Sequence, residues 1–281
     1  MDMSKLPLKV RGMPNAEYHG MREFLSRSYL TAVAEGGGEV QQFLDQGHSL
    51  FSGNSSTRKG SEWDTLVQGL CEGKTLAEQL RVPPADVLGA NGARTTKAYK
   101  EWEAQQTDCV VCSAEQAWQY GKMLDSLMAN DSGRRLIERT TETQVSVFFE
   151  LDGHPVKVRP DGCTEDLWWD LKTTSSKWSQ IARSIGDYGY GEQAWLYTQG
   201  AMAIGYEGFR MPFVFCQTVA PFGCIVRTLP DDFVGECGER MLQTMELVKL
   251  RRETGEYLPL DHGETRELEI PAWMRNKQEV F

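Results

Sequence analysis

Two hydrophobic periods run along this chain, and one gives way to the other near Val145. Before that point the spacing is helical. Residues Ser26–Val33 and Glu39–Leu44 predict two helices separated by a glycine-rich loop at Glu35–Gly38. Trp63–Gly69 predicts another, opened by Ser61 as N-cap after the polar run Ser52–Gly60. In Ser113–Met128, Ser113 stands three residues before Gln116 ahead of apolar residues at helical spacing, the signature of a capping box. From Val145 the period shortens. Val145–Leu151 and Pro155–Arg159 predict strands joined by the hairpin turn Asp152-Gly153, and Leu167–Thr173 predicts a third strand of the same antiparallel meander after a turn at Cys163–Asp166. Helices at Lys177–Asp187 and Glu192–Ile204, strands at Phe209–Thr218 and Gly223–Leu229, and a helix at Asp232–Arg252 complete the pattern. The order implies an α+β fold with a mixed central sheet flanked by helices. A second loop signal, Val82–Arg94, helps divide the chain into an N-terminal helical region (1–108), a core (109–230), and a C-terminal helix and tail (231–281) packed on the core or at a subunit interface.

Composition narrows the picture only slightly. Hydrophobic residues make up 40% and charged residues 25%, the balance of a globular protein, with no uninterrupted apolar segment of membrane-spanning length. The N-terminal stretch lacks the apolar core of a signal peptide, so the expected location is the cytoplasm. Seven cysteines scattered along the chain fit a reducing compartment, and Cys109-Val110-Val111-Cys112 has no second pair to complete a zinc site. Forty acidic against thirty basic residues give a net charge of -10, which disfavours a protein that simply coats nucleic acid. Contact with a polyanion would have to be local.

Chemistry concentrates in the third predicted strand. Residues two apart on a strand share a face, so Asp170 and Lys172 project together, and the turn after Asp161 brings a second carboxylate beside them. Asp161, Asp170 and the Leu171 carbonyl would form an incomplete oxygen shell for a hard cation such as Mg²⁺, with Mn²⁺ as a substitute, one or two ions in number. Such a shell, open to phosphate and flanked by a lysine, suits phosphodiester hydrolysis. A bare Asp-x-Lys is otherwise an exposed ion pair of little consequence. No phosphate-binding G-x-x-x-x-G-K-[ST] loop occurs, which argues against an ATP-driven enzyme.

The motifs in order, Val158-Arg159-Pro160-Asp161, Asp170-Leu171-Lys172-Thr173-Thr174, Ile181-Ala182-Arg183-Ser184-Ile185 with Tyr188-Gly189-Tyr190, and Gln193-Ala194-Trp195-Leu196-Tyr197, resemble the phage exodeoxyribonuclease VIII (RecE-type) family of the PD-(D/E)XK nuclease superfamily. The resemblance spans roughly Ser26–Thr218. It implies a PD-(D/E)XK nuclease-like fold, Asp161 and Asp170 as metal ligands, Lys172 as catalytic lysine, and Gln193 and Tyr197 as the family's Q-x-x-x-Y pair. The implied activity is processive 5′-to-3′ exonuclease action on linear double-stranded DNA ends, leaving 3′ single strands for a phage single-strand annealing protein. It also implies a homo-oligomeric ring, trimer or tetramer, with no membrane partner.

Two positions depart from that pattern. Asp64, four residues after Gly60, stands where the family has histidine, and Gln144, with Glu142 two residues before it on the same predicted strand face, stands where the family has glutamate. Asp64 and either Glu142 or Gln144 are therefore candidate metal ligands. Arg58, Lys59, Lys177 and Arg183 are candidates for gripping DNA, as are Arg134, Arg135 and Arg139, while Trp168, Trp169 and Trp178 divide between packing and base stacking. Competing readings are a RecB-like nuclease or endonuclease with other end preference, and a non-catalytic DNA-binding module.

Overall fold

A computed structural model describes residues 2–50, 55–208, 210–259, 265 and 267. In chain order the elements are β1 (Leu8–Val10), α1 (Asn15–Gly20), α2 (Arg27–Asp45), α3 (Ser55–Cys71), α4 (Leu76–Gln79), β2 (Leu80–Arg81), α5 (Lys97–Glu103), β3 (Val110–Val111), α6 (Ala114–Ala129) and α7 (Asp131–Arg139). The second half contains β4 (Glu142–Thr143), β5 (Ser146–Leu151), β6 (His154–Val158), β7 (Gly162–Cys163), β8 (Trp168–Thr174), α8 (Ile181–Asp187), α9 (Tyr190–Ala203), β9 (Phe213–Gln217), β10 (Cys224–Arg227) and α10 (Asp231–Thr254). Phe209, the polar run at residues 52–54 and most of the tail beyond residue 259 lie outside the described residues. Among the described residues no helix is long and apolar enough to cross a membrane.

β5 and β6 form the expected hairpin, with Val147 opposite Val158 and a turn in which Asp152 and Gly153 both take positive φ (51° and 77°). The expected meander is corrected. β8 does not pair with β6 but with β7, the two-residue continuation beyond it, Gly162 lying opposite Trp169. On its other edge β8 runs parallel to β9, in a five-stranded sheet of order β10-β9-β8-β7-β4, while β1, β5 and β6 form a separate sheet. The separation has a local cause. Pro160 has no N–H to give a ladder, and Gln144 on the facing strand adopts φ 50°, so both long strands break at the same level.

The five-stranded sheet is covered on both faces. Trp168 packs with Val158, Leu196 and Met241 on one side, and Trp169 and Leu171 pack with Trp63, Leu66 and Val214 on the other. Both tryptophans are thus packing residues, and Trp178 joins a third cluster with Ile181 and Phe213. Each such large apolar burial contributes about 1.5–3 kcal/mol. After α8, α9 places Leu196 and Ala201 in the core, and α10 lies across α9 and α2.

Two further expectations change in the N-terminal region. The two short helices are one kinked helix, α2, whose break is a single residue, Gly37 (φ 68°). The glycines serve a close approach: Gly38 donates to Leu258 O at 3.0 Å, and a Cβ there would stand 2.3 Å from that oxygen. Ser61 is not an N-cap, because α3 begins at Ser55 and Gly60 lies within it. Gly60 packs close to the end of β8, where an added Cβ would stand 3.1 Å from Thr173 Oγ1. The capping box of Ser113 and Gln116 forms as expected on α6. α5 and α7 stand in addition to the expected helices, and α7 buries the apolar stripe Leu136–Ile137 of a strongly amphipathic segment.

Candidate active site

β8 carries the centre of the site, because alternation sends Asp170 and Lys172 to the α9 face and Leu171 to the α3 face. The Lys172 ammonium lies against Asp170 Oδ2, and 5.0 Å from the Tyr190 ring centroid. Gln193, one turn into α9, donates from Nε2 to the other oxygen, Oδ1, at 2.7 Å. Asp161 lies just before β7, where the ladder with β8 ends. Its Oδ2 accepts the Leu171 N–H at 2.6 Å, taking the place of a strand partner. A residue's N–H and C=O leave a strand on the same edge, so the Leu171 carbonyl also faces the Asp161 side.

Asp64 approaches from α3. Trp63, Leu66 and Val67 bury one stripe of that helix, and Asp64 lines the cleft beside β8. Gln144 joins the two outer carboxylates: its Nε2 donates to Asp161 Oδ1 at 2.9 Å and reaches Asp64 Oδ2 at 3.4 Å. Gln68 donates to the same Asp64 oxygen at 2.8 Å. Tyr197 donates its hydroxyl to the Arg159 carbonyl at 3.0 Å, two residues before Asp161, and burial pushes its phenol up, so it stays a donor. Gln193 and Tyr197 therefore support the strands that bear the two aspartates.

These groups line a cleft of about 670 Å³ that also contains Lys59, Arg159, Tyr188, Tyr190 and the hydroxyl run Thr173–Ser176. Tyr188 is largely exposed and stacks on Tyr190, with ring centroids 5.9 Å apart. Among the expected residues, Asp64, Asp161, Asp170, Leu171, Lys172, Gln193, Tyr197 and Lys59 all line the cleft, and Gln144 reaches it through Asp64 and Asp161.

Glu142 is not brought there. It pairs with Lys9 and Arg11 in a different pocket, since the left-handed backbone at Gln144 breaks the alternation that would have put both on one face. Lys177 and Arg183 are exposed near the rim without lining the cleft, and Arg183 pairs with Asp187. Arg134 and Arg139 pair with Asp131 and Asp166, and Arg135 bonds the Asp131 carbonyl. Tyr188 and the hydroxyl run were missed as lining residues, although Tyr188-Gly189-Tyr190 stood out as a motif.

The electrostatics bear on a cation. Burial and the Asp170 charge push Asp64 up to about 6. Burial, then Asp170 and Asp64, hold Asp161 well above the usual carboxylate range, opposed by Lys172 and the Leu171 N–H. Among the described residues no three His, Cys, Asp or Glu side chains are already arranged to hold a metal ion. The donor set nevertheless fits a hard divalent cation, because mutually repelling carboxylates and a backbone carbonyl are the oxygen ligands such ions prefer.

No family profile and no curated protein matches the chain. A solved structure from Eubacterium rectale, described as "Putative exonuclease", is similar over 97% of this chain and 100% of its own, with TM-score 0.62 and 14% identity. The chain therefore shares the α+β fold of that structure, a mixed sheet flanked by helices.

Proposed function

We propose that the chain is a metal-dependent deoxyribonuclease. The observation that carries this reading is the meeting of Asp64, Asp161, Asp170 and Lys172 at one cleft, although they come from α3, the break before β7, and β8. The Eubacterium rectale chain that shares the fold carries the description "Putative exonuclease", in keeping with the reading.

Mg²⁺, or Mn²⁺ in its place, would be held by Asp161, Asp170 and the Leu171 carbonyl, with Asp64 and Gln144 adjoining, and would supply Lewis-acid polarisation of the phosphodiester. Lys172 donates toward a phosphate oxygen or the attacking water. Gln193 keeps Asp170 aimed into the cleft, and Tyr197 fixes the backbone leading to Asp161. The hydroxyl run Thr173–Ser176 offers neutral donors to non-bridging oxygens along one wall. The finer assignment, a processive 5′-to-3′ exonuclease working as a ring on duplex ends beside an annealing protein, rests on the ordered sequence motifs.

The test is digestion of a linear duplex labelled separately at its 5′ and 3′ ends, with Mg²⁺ or EDTA, by wild type and Lys172→Ala. Mg²⁺-dependent release of 5′ label by wild type alone, with closed circles untouched, is the expected result. Cleavage of circles would make the enzyme an endonuclease, and binding without cleavage under any metal would remove the enzymatic reading.

A further inference from the structure

The cleft does not end at the carboxylates. A second groove of about 510 Å³ shares Lys59, Ser175 and Thr218 with it and is lined beyond them by Arg58, Arg94 and Gln116. Resting on the nuclease reading, we infer that this groove holds the sugar–phosphate backbone of the cut strand beyond the cleavage site, as a second subsite for single-stranded nucleic acid.

Three observations support a polyanionic occupant. The first is charge: Arg58, Lys59 and Arg94 line the groove against one lining acid, Glu62, with Glu103 acting on Arg58 from outside the lining, on a chain whose net charge is -10. A local excess of positive charge is what lets an acidic protein hold DNA. The second is commitment of that acid. Glu62 is taken by Arg58 Nε at 2.8 Å and by the Tyr120 hydroxyl at 2.6 Å, which leaves it poorly placed to neutralise Arg94. The third is continuity. Lys59, which donates to Gln119 Oε1 and Thr218 O, forms part of the common wall and carries one more proton to give. A small product would fill one cavity; a polymer with regularly spaced charges passes from one to the other. Arg94 reaches the groove from the loop before α5, with its guanidinium 6.0 Å from the Tyr99 ring centroid.

The experiment measures binding of fluorescein-labelled 16-nucleotide and 4-nucleotide single-stranded DNA in EDTA over a salt series, using wild type, R58A/R94A, R58K/R94K and, as a surface control, Lys249→Ala on the exposed side of α10. The expected result for R58A/R94A is about tenfold weaker binding of the 16-mer, a smaller loss for the 4-mer, and a salt slope lower by about 1.4, from about 0.7 per lost phosphate contact on a single strand. R58K/R94K restores most of the slope, because charge rather than fork geometry sets it. Equal losses on both lengths, or the same loss from Lys249→Ala, overturn the inference. If wild type degrades end-labelled duplex while R58A/R94A binds the 16-mer as tightly as wild type does, this subsite falls and the nuclease reading stands. If wild type neither binds nor cleaves DNA, both fall.

Discussion

Gln193 Nε2 and Asp170 Oδ1 lie 2.7 Å apart, a side-chain bond that ties α9 to β8 inside the cleft. Asp170 is almost fully buried, so loss of this donor leaves a carboxylate oxygen without its partner. Gln193→Leu is expected to lower the nuclease rate by roughly 10–100-fold, the usual cost of removing a group that orients a ligand. Steady-state assays across Mg²⁺ concentrations check this, and the loss should be partly recovered at high Mg²⁺. A rate equal to wild type would show that Asp170 needs no such support.

Asp64 sets a pH dependence of stability. Its folded-state pKa, about 6, lies above the unfolded carboxylate value, so the folded protein holds the proton more tightly. The contribution is favourable at acid pH and is lost as pH rises through the folded value. In EDTA, Asp64→Asn should therefore gain thermal stability relative to wild type at pH 7.5, and that gain should shrink toward pH 5. A change of about 1 kcal/mol corresponds to roughly 2–4 °C in a chain of this size. Thermal melts of both proteins at the two pH values decide it; a gain independent of pH would assign the effect to something other than ionisation.

Mg²⁺ should raise the melting temperature of wild type. An ion that binds only the folded state stabilises by about 2.7 kcal/mol at a hundred times its dissociation constant. Asp161→Asn removes a carboxylate from the donor set and should flatten the response, whereas Glu142→Gln, altering a residue paired elsewhere with Lys9 and Arg11, should leave the Mg²⁺-dependent increment in place. Differential scanning fluorimetry with Mg²⁺ and EDTA separates the two. An equal increment in all three proteins would move the ion away from Asp161.

Gly162 follows Asp161 and faces the Trp169 indole; a Cβ there would lie 2.2 Å from the ring. Gly162→Ala should destabilise the fold by about 1–3 kcal/mol through overpacking. The same displacement moves the neighbouring Asp161, so activity should fall at temperatures where the variant is still folded. Circular dichroism melts and nuclease rates, compared below the transition, test the linkage.

The chemistry of β8 was legible because strand period alone places Asp170 and Lys172 together, and Gln193 and Tyr197 share a helix face four residues apart. What escaped was backbone shape. Nothing in Glu142-Thr143-Gln144 announces φ 50° at Gln144, yet that angle decides which of the two side chains meets Asp161. The meander was misassigned for a related reason: Pro155–Arg159 reads as the neighbour of the third strand and Cys163 as part of a turn, but the chain bends after β6 and only Gly162–Cys163 meets β8. Gly60 invited a helix start at Ser61 because a glycine in mid-helix resembles a boundary, when it lies inside α3 close to Thr173. Arg94 belongs to a remote loop, and no local periodicity connects it with Lys59.

The two tryptophans of β8 are sealed into opposite cores, so the strand cannot detach from one layer without exposing the other. The amides of Asp170 and Leu171 belong among the slowest to exchange with solvent, opening only when the whole domain opens. Heating should then leave catalysis intact until global melting begins, and any gradual fraying should show first at the cleft's rim, near the exposed Tyr188.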